Sequence, residues 1–274
     1  MKLKTFIKKL ILLFVPKKHI TAKVYYLSPN EKLKGKKILI TGGGRGLGAA
    51  MAEKFTKEGA SVLICGRNEQ TLKDTASRIG CMYMPLDIRN CESFSDFIHK
   101  ADDMLGGIDS IVNNAGISLH EGNIRNVSQT QFDNQINTNL RGGYFMAQKF
   151  VELIEEKNRT NANILFVSSE RGDYSDDLPY GLTKVAINSL TKGLAYRLIK
   201  KGIRVNAIAP GVTTSDMTGF SDKNLYASFN ANERVYLPEE VAEVACFILS
   251  DASKCISGQV IVCNEAKSVN AHWR

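Results

Sequence analysis

The chain has 274 residues, of which 43% are apolar and 23% charged. That length suits one large domain or at most two small ones, and the composition excludes a disordered, collagen-like or disulfide-scaffold chain. The net charge of +8 is unevenly placed: residues 1–37 hold eleven lysines against one acid and carry +10, leaving −2 for the rest. The basic balance therefore belongs to an N-terminal arm, and it gives no ground for a nucleic-acid partner.

In chain order, residues 1–18 come first. Leu3, Phe6, Ile7, Leu10, Ile11 and Phe14 fall at helical spacing, with Lys2, Lys8 and Lys9 beside them, and Pro16 ends the pattern. Such a basic amphipathic helix suits an anionic membrane surface. It equally suits packing on the body or on a second subunit. A secretory signal fits less well, because the apolar core is short and no small-residue cleavage site follows. Residues 19–35 read as a linker containing the turn Ser28-Pro29-Asn30. No apolar run approaches the roughly 20 residues of a membrane span. The six cysteines include no C-x-x-C pair, and the four histidines include no i, i+4 pair. We expect reduced thiols in a cytoplasmic chain and no metal site.

From residue 36 short β-rich runs alternate with longer helical patterns. The runs are 37–41, 61–65, 82–86, 110–113, 164–168, 204–209 and 260–263; the helices are 46–58, 69–78, 92–105, 129–157, 179–201 and 238–250. Parallel strands need crossovers, so this alternation predicts an α/β fold: a doubly wound, Rossmann-type parallel sheet of about seven strands with helices on both faces. One domain over 36–265 and a tail over 266–274 account for the remainder.

The first strand runs into Thr41-Gly42-Gly43-Gly44-Arg45-Gly46-Leu47-Gly48, and a helix follows at once. Glycines let the backbone turn sharply and approach a pyrophosphate, and the helix N-terminus offers free N–H groups and a positive dipole end. The spacing of Gly42, Gly46 and Gly48 resembles that of the short-chain dehydrogenase/reductase family. The resemblance continues at Asn113-Asn114-Ala115-Gly116, Asn139, Ser169, Tyr180-x-x-x-Lys184, Pro210-Gly211 and Ser257-Gly258-Gln259. It covers nearly all of 36–265, and within that family a 3-oxoacyl carrier-protein reductase-like role and a sugar or polyol substrate both stand open.

A NAD site usually places an acid at the end of the second strand to hold the ribose 2′-hydroxyl. Here that stretch is Cys65-Gly66-Arg67-Asn68, without an acid, and Arg45 stands in the glycine loop. Two guanidiniums favour a 2′-phosphate, so NADP(H) is the expected cofactor. The resemblance further implies that Gly42, Arg45, Gly46, Leu47 and Gly48, together with Asn114, Ala115 and Gly116, bind the dinucleotide. It places Asp87 and Ile88 beside the adenine, and Pro210, Gly211, Val212 and Thr213 against the nicotinamide carboxamide and phosphates.

Tyr180 and Lys184 lie four apart and share a helix face, just after the strand that ends in Ser168-Ser169. A carbonyl that takes a hydride develops negative charge and then needs a proton. A phenol can donate one; as a base in the oxidative direction it needs its pKa lowered by about 3 units, the direction in which a neighbouring ammonium acts. The resemblance assigns these roles: Tyr180 as acid/base, Lys184 as its electrostatic partner and ribose ligand, Ser169 as donor to the substrate oxygen, and Asn139 as holder of a relay water. The acidic loop 170–177 shapes the substrate pocket or is simply solvated, and the polar connection 214–235 reads as a mobile lid. Where the family often closes its last strand with Asp-Gly-Gly, this chain has Cys263-Asn264-Glu265-Ala266, which alters the final turn. The expected activity is hydride transfer between NADP(H) and a small-molecule ketone or secondary alcohol. The rival is a non-catalytic NADP-binding sensor or scaffold. A homodimer or homotetramer packed through 129–157 and 179–201 is also implied.

Overall fold

Alternate residues along the short apolar runs are sorted to opposite sides of one sheet. A computed structural model describes residues 30–230 and 232–269; the N-terminal arm, most of the expected linker and the end of the tail lie outside the described residues. The strands are β1 (Lys37–Thr41), β2 (Ser61–Gly66), β3 (Met82–Pro85), β4 (Ser110–Asn113), β5 (Ala162–Val167), β6 (Ile203–Pro210) and β7 (Val260–Cys263). They are paired in the order β3-β2-β1-β4-β5-β6-β7, every pair parallel. This is the predicted doubly wound sheet.

Two cores follow from the alternation. Leu39, Leu63, Ile111, Ile164, Phe166, Val205 and Ala207 point to one face. There they meet α3 (Phe94–Leu105), α5 (Gly142–Glu156) and α6 (Pro179–Leu198). Ile38, Ile40, Val62, Ile64, Val112, Leu165 and Ile208 point to the other. That side is covered by α1 (Gly46–Lys57), α2 (Glu69–Ile79) and α7 (Pro238–Leu249). The packed body begins before residue 36: Leu33 is fully buried in the second core, and its N–H donates to the Glu58 carbonyl at 2.9 Å.

The expected continuous helix over 129–157 is interrupted. It consists of α4 (Gln129–Gln135), a π-helical turn at Ile136–Arg141, and α5. Two contacts explain the wider turn. Asn139 reaches out to pair with the backbone of Ile117, its Oδ1 accepting from N and its Nδ2 donating to O, each at 2.8 Å. Gly142 lies so close to β3's outgoing chain that a Cβ there would overlap the Ile88 carbonyl oxygen. The expected strand over 164–168 starts earlier and stops earlier, at Val167, although Ser168 N still donates to the Ile208 carbonyl of β6 at 2.8 Å.

The order of the strands positions the site. The chain leaves β1 toward β2 on one side and comes back to β4 on the other, so a crevice opens at the carboxyl ends of β1 and β4. Nearly every residue singled out from the sequence sits on that edge of the sheet.

Candidate active site

The glycine loop bridges β1 and α1. Gly42 has φ 66°, in the left-handed region. A Cβ on Gly48 would overlap the Gly42 carbonyl oxygen and come within 2.6 Å of Asn114 Nδ2. The two glycines thus let α1 start directly against the end of β1. No side chain caps α1: Arg45 stands at the cap in extended conformation without a capping hydrogen bond, so the first turn keeps its N–H groups for an anion.

The end of β4 is tied to this loop. The Thr41 hydroxyl accepts from the N–H groups of Asn114 and Ala115, both at 3.1 Å. The Asn114 amide donates to the carbonyls of Thr41 and Gly42, both at 3.0 Å. Gly42, Gly48, Asn114 and Ala115 therefore form one wall of the crevice, with Gly46 and Leu47 following in the first turn of α1 and Gly116 in the chain after β4.

Arg67 follows β2 and is exposed. The neighbouring Asn68 side chain is used as the cap of α2, accepting from Thr71 N at 2.9 Å. Arg45 pairs with Asp216, at 3.1 Å, both side chains being well exposed. Asp87 is held by Arg89, which donates to both carboxylate oxygens at 2.6 to 3.1 Å. Those hydrogen bonds, against a smaller opposing effect of burial, keep the Asp87 carboxyl below its ordinary range. Ile88 is buried beneath the crevice.

Ser169, Tyr180, Lys184 and Asn139 come together at the ends of β5 and β4. Adjacent serines take opposite directions. Ser168 is buried and donates to Asn188 Oδ1 at 2.6 Å and to the Lys184 carbonyl at 3.3 Å; it fastens α6 to β5. Ser169 turns to the crevice side, where its hydroxyl accepts from Arg171 N at 3.3 Å and stands near enough to the Tyr180 phenol to favour its ionisation. Lys184 is 5% exposed and its Nζ donates to the Val167 carbonyl at 2.9 Å. That ammonium lies 5.4 Å from the centre of the Tyr180 ring. Gly116 has the Asn139 amide oxygen and Lys184 Nζ over its face, 3.4 and 3.8 Å from where a Cβ would stand.

The electrostatics differ in one respect from the sequence-based expectation. Burial pushes the Tyr180 phenol up, and the Ser169 hydroxyl and Arg171 guanidinium only partly offset it. Lys184 adds little, because burial also pushes its ammonium down, to about 8. The pair as it stands favours a protonated phenol, which is a proton donor. Asn139 is the other correction: it sits in a π-helical turn rather than a regular helix interior, a feature that recurs at functional sites.

Four carboxylates of the 170–177 loop were expected to be solvated or to face a pocket, and two have different work. Asp176 is buried under Arg171 and accepts from Leu178 N at 3.0 Å at the start of α6. Glu170 is 5% exposed and pairs with Lys267. The acidic composition was visible in the sequence; the distant partners were not. Pro210 ends β6, and Gly211 packs against Tyr236 and Asn264. Val212 and Thr213 pair with Tyr236, so 214–235 leaves and re-enters at one point. Within it Ala227 and Val235 are buried, and the Phe220 and Phe229 rings meet edge-on at 6.0 Å.

A family profile described as enoyl-(acyl carrier protein) reductase matches residues 42–265. The 3-oxoacyl-[acyl-carrier-protein] reductase FabG of Aquifex aeolicus is 31% identical over 243 residues, 85% of this chain and 97% of that protein. The solved 3-ketoacyl-(acyl-carrier-protein) reductase of Brucella melitensis, complexed with NADH, is similar with a TM-score of 0.79. It is 31% identical and covers 86% of this chain and 100% of that one. A short chain dehydrogenase of Burkholderia cenocepacia in complex with NADP has a TM-score of 0.78 and 25% identity, over 87% and 100% of the two chains. Sheet order, glycine loop and sequence similarity agree, and the chain belongs to the short-chain dehydrogenase/reductase family of oxidoreductases.

Proposed function

We propose that this protein is an NADP(H)-dependent reductase of a ketone, or dehydrogenase of a secondary alcohol, with Tyr180 as acid/base. The carrying observation is the meeting of two hydroxyls, Ser169 and Tyr180, above a buried ammonium, Lys184, at the mouth of a glycine-lined crevice. The residues fit a dinucleotide: the cradle at Gly42 and Gly48 is one that a side chain would fill, and the uncapped start of α1 matches a pyrophosphate. When bound, the nicotinamide supplies or accepts the hydride.

The protein side of the reaction follows from the groups present. Ser169 and Tyr180 donate hydrogen bonds to one carbonyl oxygen as charge grows there, a contribution on the order of 100-fold or more per donor. Tyr180 then gives up its proton, general acid catalysis being worth roughly 100- to 10,000-fold. Lys184 holds the ribose and steadies the tyrosinate, and Asn139 holds a water through which the proton is replaced. Arg45 and Arg67 favour a 2′-phosphate, and no acid follows β2 to favour NAD. Pro210 to Thr213 bear on the nicotinamide, Asp87 and Ile88 on the adenine, and 214–235 serves as the lid. The relatives' acyl carrier protein substrates support a 3-oxoacyl-like ketone.

Full-length protein is to be screened on carbonyl substrates with NADPH and NADH in parallel. Tyr180→Phe is expected to lose at least 100-fold in turnover while keeping NADPH affinity; retained turnover would leave the sensor or scaffold reading. Two further parts of the proposal concern assembly. The exposed Phe132, Tyr144, Leu182, Val185 and Tyr196 on α4, α5 and α6 support a homodimer or homotetramer through those helices. Residues 1–18 are assigned to a membrane surface, from a cytoplasmic chain, and liposome flotation with and without them tests it. Among the described residues no helix is long and apolar enough to cross a membrane.

A further inference from the structure

The chain after β7 turns at a cost. Glu265 and Ala266 have φ 50° and 64°, left-handed values that side chains disfavour. Something must hold this turn. Two ion pairs do. Glu265 accepts from Arg234, at 3.3 Å, and Lys267 Nζ donates to Glu170 Oε1 at 2.9 Å. Asn264 Nδ2 donates to the other oxygen of Glu170 at 3.1 Å. The ammonium also lies 4.9 Å from the centre of the Phe229 ring.

Glu170 is the residue directly after Ser169, and it begins the short 3-10 turn Glu170–Gly172. Its carboxylate is buried where three strand ends converge. Gly211, after β6, shows how tightly: a Cβ there would lie 3.3 Å from Glu170 Oε2, 3.1 Å from Asn264 Cβ and 2.7 Å from the Tyr236 ring. A carboxylate held this far from water needs a cation and hydrogen bonds. Both come from Asn264 and Lys267.

We propose that Lys267 is a positioning residue of the active site: by anchoring and neutralising Glu170 it sets the Ser169 loop and shields the Tyr180 phenol from a neighbouring negative charge. This rests on the reading of Tyr180 as acid/base. The charged and titratable groups around the phenol are Glu170 and Arg171 from the Ser169 loop, Asp176 at the start of α6 and Lys184 on α6 itself. Around Glu170 stand Lys267, Tyr174 and Tyr236, with Glu265 beyond Tyr236. Glu170 disfavours ionisation of the phenol and Arg171 favours it, so a Glu170 without its cation acts against the tyrosinate.

The test compares wild type, Lys267→Met, Glu170→Gln and the double variant, all full length. Alcohol oxidation with NADP+ is followed against pH, and amide hydrogen exchange is followed over residues 169–178. Lys267→Met is expected to lower kcat about 10-fold at neutral pH, to move the rise of kcat/KM to higher pH, and to speed exchange in the loop, with KM for NADP+ changed less than 2-fold. Glu170→Gln on that background is expected to restore most of both, since an amide needs no cation. A Lys267→Met protein with wild-type pH profile and exchange overturns the proposal, as does loss of activity that Glu170→Gln leaves unrepaired. If wild type oxidises no alcohol, the exchange decides alone. Faster exchange reversed by Glu170→Gln upholds the anchoring and refutes only the catalytic reading, whereas unchanged exchange refutes the anchoring.

Discussion

Lys184 is a charged side chain held where charge is costly, and its removal should stabilise the fold while abolishing turnover. Among the described residues no carboxylate pairs with it, and its one hydrogen bond is to the Val167 carbonyl at 2.9 Å. Burial takes its pKa from 10.5 to about 8, which corresponds to roughly 3 kcal/mol of unfavourable burial at neutral pH. Lys184→Met keeps the length of the side chain and loses that hydrogen bond, at about 1 kcal/mol. The variant should therefore be more stable by about 2 kcal/mol in urea unfolding of dinucleotide-free protein at pH 7. The pH dependence has a definite sign. Between about 8 and 10.5 the unfolded chain binds the proton that the folded chain has lost, so wild-type stability rises with pH through that window and the advantage of the variant shrinks. A Met variant less stable than wild type at pH 7, or a difference that does not change by pH 10, would refute this account of Lys184.

Gly48→Ala forces apart α1 and the end of β1; overpacking of about 1 to 3 kcal/mol should appear in urea unfolding, together with a 10-fold or greater loss of NADPH affinity by fluorescence titration. Unaltered affinity would remove the glycine loop from the cofactor site. Asp102 is buried on α3, bonded to Arg159 and accepting from Ile108 N; burial opposes its ionisation, but these two partners prevail and hold its pKa below the usual range. Its contribution is present above the ordinary carboxylate range and is lost as pH falls through the depressed value. Asp102→Asn should cost about 2 to 3 kcal/mol at pH 7 and blunt acid unfolding followed by circular dichroism; an unchanged acid midpoint would contradict this. Replacing Arg45 and Arg67 together by Ala should raise the Kd for NADPH about 10-fold or more and leave NADH nearly unaffected. Equal losses for both cofactors would mean that neither guanidinium reads a 2′-phosphate.

Features carried by local spacing were legible in the sequence alone. Period-two and helical patterns set out seven strands and their crossovers, and parallel pairing then required a doubly wound sheet. Gly42, Gly46 and Gly48 stand within one turn, and Tyr180 and Lys184 within another, so their joint placement needed no knowledge of distant chain. Tertiary structure decided everything that depends on residues far apart in sequence. It engaged the Ser168 hydroxyl by bringing Asn188 of α6 against it. It broke the 129–157 helix because Ile117 stands within reach of Asn139. It buried Glu170 by returning Lys267 to it from 97 residues away. Hydrogen bonds and ion pairs of this kind are short in range and specific in direction, so only the folded backbone determines which partner each polar group finds.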